Sequence, residues 1–280
     1  MLTKTGAPRA EPPDFEIRTS AAEPRGASEG AAVTIRGVGH SFGQTRALAG
    51  FDATAAPGEV LGIVGPSGCG KSTLLELVAG LTEPSEGRIS VGAAAGTAER
   101  IEACALMPQR DLLLPWLRAI DNAGLALRIA GRSREQARRQ AAPLFERFGL
   151  AGFERALPEE LSGGMRQRVA FLRTLLAGRP ILLLDEPFAS LDAITRAEMQ
   201  VWLAEVLAAD PHTVLLVTHD VEEALYLSDR VLVMTPRPGG VAAEIEVPAP
   251  RGADRAAAVT AAAFTELKER ALRRLGGGTA

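Results

Sequence analysis

The segment Gly65-Pro-Ser-Gly-Cys-Gly-Lys-Ser-Thr73 has the spacing G-x-x-x-x-G-K-[ST], and it constrains the fold more than any other feature of the chain. It follows Glu59-Val-Leu-Gly-Ile-Val64, a short run of strand formers. It precedes a helical pattern in which Leu74, Leu75, Leu77, Val78 and Leu81 share one apolar face. A strand, a Gly-rich turn and a helix in this order let successive backbone N–H groups converge on one phosphate. The helix that follows adds its positive dipole end. Lys71 supplies a cation for the β/γ-phosphates, and the Ser72 hydroxyl suits Mg²⁺. Only three of the 31 basic residues are lysines, which sets Lys71 apart. Gly65, Pro66, Ser67, Gly68, Cys69, Gly70, Lys71, Ser72 and Thr73 together form the expected nucleotide cradle.

A second part of the site lies at Ile181-Leu-Leu-Leu-Asp185-Glu186-Pro187. An apolar run ending in two carboxylates places them at the C-terminal edge of a buried strand, where ligands of α/β sheets gather. Asp185 suits the Mg²⁺ shell, and Glu186 suits the water attacking a γ-phosphate. His219 follows another buried run, Thr213-Val-Leu-Leu-Val-Thr218, and lands at the same kind of edge. His40 and His212 have no such placement and are given no chemistry.

Strand-like runs at 181–184, 213–218 and 230–234 alternate with helical stretches at about 192–208 and 220–227, which predicts a parallel sheet. Order is expected from about Ala32, with Val33, Ile35 and Val38 opening a strand; Gly50 to Gly58 reads as strand and turn. The Ala-, Leu- and Arg-rich stretch from 116 to 180 holds helical spacing and no strand, so it is an insertion in the α/β body. The segment 255–274 reads as one last helix, and the closing Gly-Gly-Gly-Thr-Ala as a frayed end. Residues 1–30 are expected to form a disordered tail, because they offer little apolar surface against the entropy of ordering. No internal repeat is evident.

Composition excludes several classes. A net charge of -3 argues against nucleic acid as the main ligand. Two cysteines, Cys69 and Cys104, make no disulfide scaffold and fit a reducing compartment. No apolar stretch nears the roughly 20 residues that span a bilayer, and residues 1–30 lack the apolar core of a secretion signal. A cytoplasmic protein is expected.

One further motif carries a resemblance. Leu161-Ser-Gly-Gly-Met-Arg-Gln-Arg168 is similar to the signature sequence of the ATP-binding subunits of ABC transporters. The Ser162 hydroxyl and the Gly163 and Gly164 backbones at a helix start form a second anion cradle. In that family the cradle faces the γ-phosphate held by another subunit, so the resemblance implies two copies arranged head to tail with ATP between them. It also implies an α/β fold: a P-loop NTPase core with a mostly parallel sheet flanked by helices, an inserted all-helical subdomain at about 112–178, and an N-terminal antiparallel β region. The implied division is a tail at 1–30, an ATP-binding domain at 31–250, and a C-terminal helix with frayed end at 251–280.

Other positions follow the same resemblance. Gln109, in Leu106-Met-Pro-Gln109, matches the Q-loop, which places it at the metal with Ser72 and Asp185 and links it to the helical subdomain. Ser190-Leu191-Asp192 matches the D-loop, and His219 the switch histidine. Phe42 matches an adenine-stacking aromatic, although it also fits a core position. Glu186, His219, Gln109 and Lys71 are the implied catalytic group, with ATP and Mg²⁺ as cofactors. Leu113-Leu114-Pro115-Trp116 with Asp121-Asn122, and Thr235-Pro236-Arg237-Pro238-Gly239, resemble importers of nitrate, sulfonates, taurine and related organic solutes. Trp116 fits either a grip on a partner or a packing position. Integral membrane permease subunits and, indirectly, a solute-binding protein are the implied partners, with the chain peripheral on the inner face of the cell membrane. Only 61 residues follow His219, leaving little room for a regulatory C-terminal domain. The alternatives are a soluble ABC-type ATPase acting on nucleic acid or the ribosome, and a small-molecule kinase. The first is disfavoured by a single motif set and by the 51 residues between Gln109 and Leu161; the second leaves Leu161 to Arg168 unexplained.

Overall fold

The computed structural model describes residues 31–189, 191–209, 212–248 and 254–276. The expected tail at 1–30 and the last four residues of the expected frayed end lie outside them. Strands β1 (Val33–Phe42), β2 (Thr45–Ala55), β3 (Val60–Val64), β4 (Glu86–Val91) and β5 (Cys104–Met107) occupy the first part of the chain, with helices α1 (Lys71–Val78) and α2 (Thr97–Ala103). Helices α3 (Ala119–Ala123), α4 (Leu125–Ile129), α5 (Arg134–Arg147) and α6 (Gly163–Leu175) come next. Then follow β6 (Ile181–Asp185), α7 (Ala193–Ala209), β7 (Thr213–Thr218), α8 (Val221–Leu227), β8 (Arg230–Met234), β9 (Val241–Glu246), α9 (Arg255–Thr260) and α10 (Ala262–Gly276).

The strands form two sheets. One has three antiparallel strands in the order β2-β1-β4; the other has six in the order β5-β6-β7-β3-β8-β9. All pairs of the larger sheet are parallel except β8 with β9. The continuous apolar runs of β3, β6 and β7 have a simple cause, since each is buried at every position. Alternate side chains serve opposite faces. Val60, Val64, Leu182, Leu184, Val214 and Leu216 join a core shared with α6, α7, α8 and α10. Leu61, Ile63, Ile181, Leu183, Leu215 and Val217 join a second core with α1 and the three-stranded sheet. Each such side chain contributes roughly 1.5–3 kcal/mol relative to exposure.

Register fixes where chemistry is possible. Val64 pairs with Thr218, and Asp185 pairs with Val217. The C-terminal ends of three strands therefore meet at one edge, which carries the Gly-rich turn, the Asp185-Glu186 pair and His219.

Several sequence expectations are corrected. α1 ends at Val78, so Leu81 leaves its apolar face and stands 60% exposed. Gly80 at φ +77° turns the chain, its N–H bonding Leu77 O while the Leu81 N–H reaches Glu76 O; this Schellman closure satisfies the last carbonyls. The strand expected from Gly50 is β2, which begins at Thr45. α2, β4, β5 and β9 carry no clear pattern. β4 and β9 bury only their inward residues, Ile89 with Val91 and Ile245, while β5 spans four residues directly after α2. The single last helix is two, because Ala261 is extended at ψ 141°. Between β5 and β6 the chain has helices and loops and no strand.

The helices between β5 and β6 are held by an ionic clamp. Asp121, on α3, accepts bidentate bonds from Arg134 and Arg138 of α5 at 2.6–3.1 Å. Burial pushes its carboxyl up, but the bonds donated by Arg138 and Arg134 outweigh this and hold it well below the usual carboxylate range. Asn122 braces the preceding loop, accepting from Leu114 N and donating to Leu114 O and Leu117 O. Phe148, Phe171 and Trp202 pack edge to face and tilted, joining α6 to α7. Asp121→Asn is expected to lower the unfolding free energy at pH 7 by about 1–3 kcal/mol, read from the urea midpoint. A depressed carboxyl stabilises fully above its unfolded value of about 3.9 and loses that contribution as pH falls. Wild type and variant should therefore converge in acid; a constant gap would remove the clamp from the explanation.

Candidate nucleotide site

The Gly-rich turn is shaped by backbone that other residues tolerate poorly. Gly68 sits at φ +74° and Gly70, which precedes α1, at φ +111°. A Cβ on Gly70 would stand 2.8 Å from Leu48 Cδ2 and 3.0 Å from Ala47 O. Lys71 is buried, and its ammonium donates to Gly65 O at 2.8 Å and Pro66 O at 3.1 Å. The cation thus folds back under the turn that precedes it. Cys69 is buried against Met234, and burial pushes its thiol up against the pull of the Lys71 charge.

Ser72 donates to Asp185 at the edge of β6. Burial pushes the Asp185 carboxyl up, while the Ser72 bond and the Lys71 charge pull the other way and Glu186 adds to the rise. Glu186 itself adopts φ +46°, strained for a residue with a side chain, and its N–H bonds Val217 O at 2.8 Å. One of its oxygens gathers two partners: Gln109 Nε2 donates to Oε2 at 2.9 Å, and His219 Nδ1 stands 3.2 Å from the same atom. Residues from the ends of β5, β6 and β7 therefore converge on one carboxylate. Behind His219, on α8, burial pushes Glu223 up to about 7 against bonds from Thr218 and Gln200.

The residues expected to form a second anion cradle are placed differently. Ser162 caps α6, its hydroxyl accepting from Met165 N at 3.2 Å. A Cβ on Gly164 would meet Thr195 at 3.0 Å and Leu191 at 3.6 Å, so the start of α6 abuts the start of α7. Asp192 caps α7, accepting from Ile194 N, Thr195 N and Thr195 Oγ1. Among the described residues, no hydrogen bond ties Ser162, Gly163 or Gly164 to Lys71, Asp185 or Glu186. Ser190 lies outside the described residues. Phe42 is 55% exposed at the end of β1 with its ring edge-on to buried His40 at 4.7 Å, which excludes the core alternative. Trp116 is 72% exposed, which excludes the packing alternative.

Four residues had been given no role by the sequence. Gln167 of α6 donates to Pro187 O at 2.6 Å, fixing the turn after Glu186. Arg166 bonds Asp111 at 3.1 Å, and Arg173 donates to the carbonyls of Asp111 and Leu112. Helix α6 thereby grips the loop just past Gln109. Of these, Arg166 and Gln167 fall inside the Leu161–Arg168 motif; Asp111 and Arg173 carried no signal of their own.

A parallel sheet whose strand ends carry a phosphate cradle and a carboxylate poised between Gln and His defines a P-loop nucleoside triphosphatase. A profile of the ABC transporter family matches residues 48–189. The aliphatic sulfonates import ATP-binding protein SsuB 1 of Rhodococcus jostii is 48% identical over 233 residues, 82% of this chain and 89% of that protein. The formylaminopyrimidine import ATP-binding protein ThiZ of Halalkalibacterium halodurans is 46% identical over 195 residues, 70% and 76% of the two. Among solved structures, a dimeric ATP-binding cassette in a post-hydrolysis state with ADP and Pi superposes with a TM-score of 0.69 at 29% identity, over 78% of this chain and 99% of that one. The chain belongs to the ABC transporter family, as the component that binds and hydrolyses ATP. No described helix is long and apolar enough to cross a membrane.

Gly70→Ala is expected to weaken ATP binding roughly tenfold, through backbone strain on the order of 1–3 kcal/mol, with helix content by circular dichroism retained. Unchanged affinity would show that the turn does not need this shape.

Proposed function

We propose that the chain drives import of a small organic solute, of the sulfonate or pyrimidine-precursor kind for which its relatives are named, through a separate membrane permease. The observation that supports its ATPase half is the shared Glu186 oxygen, which Gln109 and His219 approach from neighbouring strand ends, and the import half rests on similarity to the import ATP-binding proteins. Two copies face each other head to tail, each completing the partner's site with Ser162, Gly163, Gly164 and Asp192. The chain lies on the cytoplasmic face of the membrane, and a solute-binding protein delivers cargo from the other side. The ATP-binding domain spans 31–250, with the helical subdomain at about 112–178 meeting the permease near Gln109 to Trp116.

The roles follow from chemistry. Residues Gly65 to Thr73 wrap the phosphates, and Lys71 exchanges its two carbonyl partners for phosphate oxygens. Phe42 stacks on the adenine. The donor set Ser72, Asp185 and Gln109 offers only hard oxygens, which fits Mg²⁺; among the described residues no cluster of three or more His, Cys, Asp or Glu competes for a softer metal. When bound, Mg²⁺ supplies charge neutralisation at the β- and γ-oxygens. Glu186 orients the attacking water and accepts its proton, while His219 and Lys71 stabilise charge at the γ-phosphate. Catalysis is positioning and electrostatics, without a covalent intermediate on the protein.

Glu186→Gln is expected to cut turnover by roughly 10²–10⁴-fold and to leave a closed ATP-bound dimer on size exclusion. Normal hydrolysis would take Glu186 out of this role. Purification of the tagged chain from gently solubilised membranes should yield a multi-span protein at near-equal stoichiometry. Soluble partners alone would overturn the transport assignment.

A further inference from the structure

The turn between β8 and β9 presses on the phosphate cradle from outside. Arg237 Nε donates to Gly68 O at 3.0 Å, across 169 residues of sequence. The turn is rigid: Thr235 N–H bonds Gly240 O at 2.9 Å, Gly240 N–H bonds Thr235 Oγ1 at 2.9 Å, and that hydroxyl donates to Pro238 O at 3.2 Å. It is also fastened to β2, because Gly239 N–H bonds Ala47 O at 2.8 Å and Ala49 N–H bonds Gly239 O at 3.1 Å. Gly239 approaches so closely that a Cβ there would collide with Cys69 O. The cradle is thus wedged between β2 and a turn that carries one exposed guanidinium.

In a trans peptide the C=O and N–H point in opposite directions. An arginine holding Gly68 O therefore leaves the Cys69 N–H facing away from itself. That N–H now makes a 3.3 Å bond to Pro66 O, at the long end of useful geometry and easily exchanged for a phosphate oxygen. A charged donor on the carbonyl polarises the peptide and strengthens its N–H as a donor. Arginine stays charged at any working pH, and its field reaches the cradle: among the charges that lower the Cys69 thiol, Arg237 acts with Lys71.

We propose that Arg237 is a positioning residue for the polyphosphate tail of the nucleotide, holding the Gly68–Cys69 peptide in its donor orientation and adding positive charge behind the phosphates. The inference rests on the reading of Gly65 to Thr73 as the phosphate cradle. Its test is titration of the full chain with ATP and with ADP at fixed ionic strength, for Arg237→Ala, Arg237→Lys and Lys71→Ala. Arg237→Ala should weaken both nucleotides roughly five- to tenfold, the scale of one solvent-exposed hydrogen bond, while turnover at saturating ATP falls less than twofold. Arg237→Lys should recover part of the affinity, and the melting temperatures should agree. Wild-type affinity in Arg237→Ala beside lost binding in Lys71→Ala would overturn the inference and leave the cradle reading intact. Equal affinity losses in both Arg237 variants, matched by equal falls in melting temperature, would reduce Arg237 to a structural brace and overturn it too. Normal binding by Lys71→Ala would remove the cradle reading itself.

Discussion

The in-register parallel pairing of β3, β6 and β7 is the constraint on which the rest depends. Val64 opposite Thr218 and Asp185 opposite Val217 leave no freedom in where the three strands end. Because both faces are buried, a slip of one residue would exchange the two cores and cannot occur cheaply. The loops that follow are then delivered to one edge by the same interaction that stabilises the sheet. Site geometry here is a by-product of hydrophobic pairing: Asp185 closes β6, Glu186 and His219 each stand one position past their strands, and the Gly-rich turn follows β3 directly.

At that edge the charged groups are satisfied by partners within the protein. Lys71 rests on two carbonyls of its own turn, so its charge is satisfied without a carboxylate. Asp185 is buried enough that its carboxyl is pushed up, a cost offset by Ser72 and Lys71. Glu186 is held in a strained backbone by its own N–H bond to β7, and the strain aims its carboxylate between Gln109 and His219. Such strain persists only where the surroundings over-determine it. The buried Gln167 contact to Pro187 is one of those surroundings, and it comes from the helix that opens with Ser162.

The same helix reaches the other way. Through Arg166 and Arg173 it grips Asp111 and Leu112, and the next residues present Trp116 to solvent from a loop braced by Asn122. The helix opened by Ser162, the turn after Glu186 and an exposed aromatic loop are thus joined by direct contacts, with Gln109 as their link to the Glu186 carboxylate.

Much of this was legible before any coordinates. The glycine spacing around Lys71, the carboxylates closing an apolar run, and His219 after another are local patterns, because strand burial and loop chemistry are written in consecutive residues. The α/β class followed from alternation alone. The strands with one solvated face, β4 and β9, and the four-residue β5 have no clear sequence pattern, since their stability comes from neighbours rather than from their own residues. Leu81 was assigned to a helix that Gly80 had already ended. Phe42 and Trp116 were ambiguous because a lone aromatic does not declare which way it faces; packing turned both outward. The pairing of Gln109 and His219 on one oxygen, the grip of Arg173 on the loop past Gln109, and the contact of Arg237 with Gly68 were decided by tertiary structure alone. Each joins residues tens to more than a hundred positions apart, and long-range pairing is fixed by packed cores, which the order of residues implies only when the whole chain has folded.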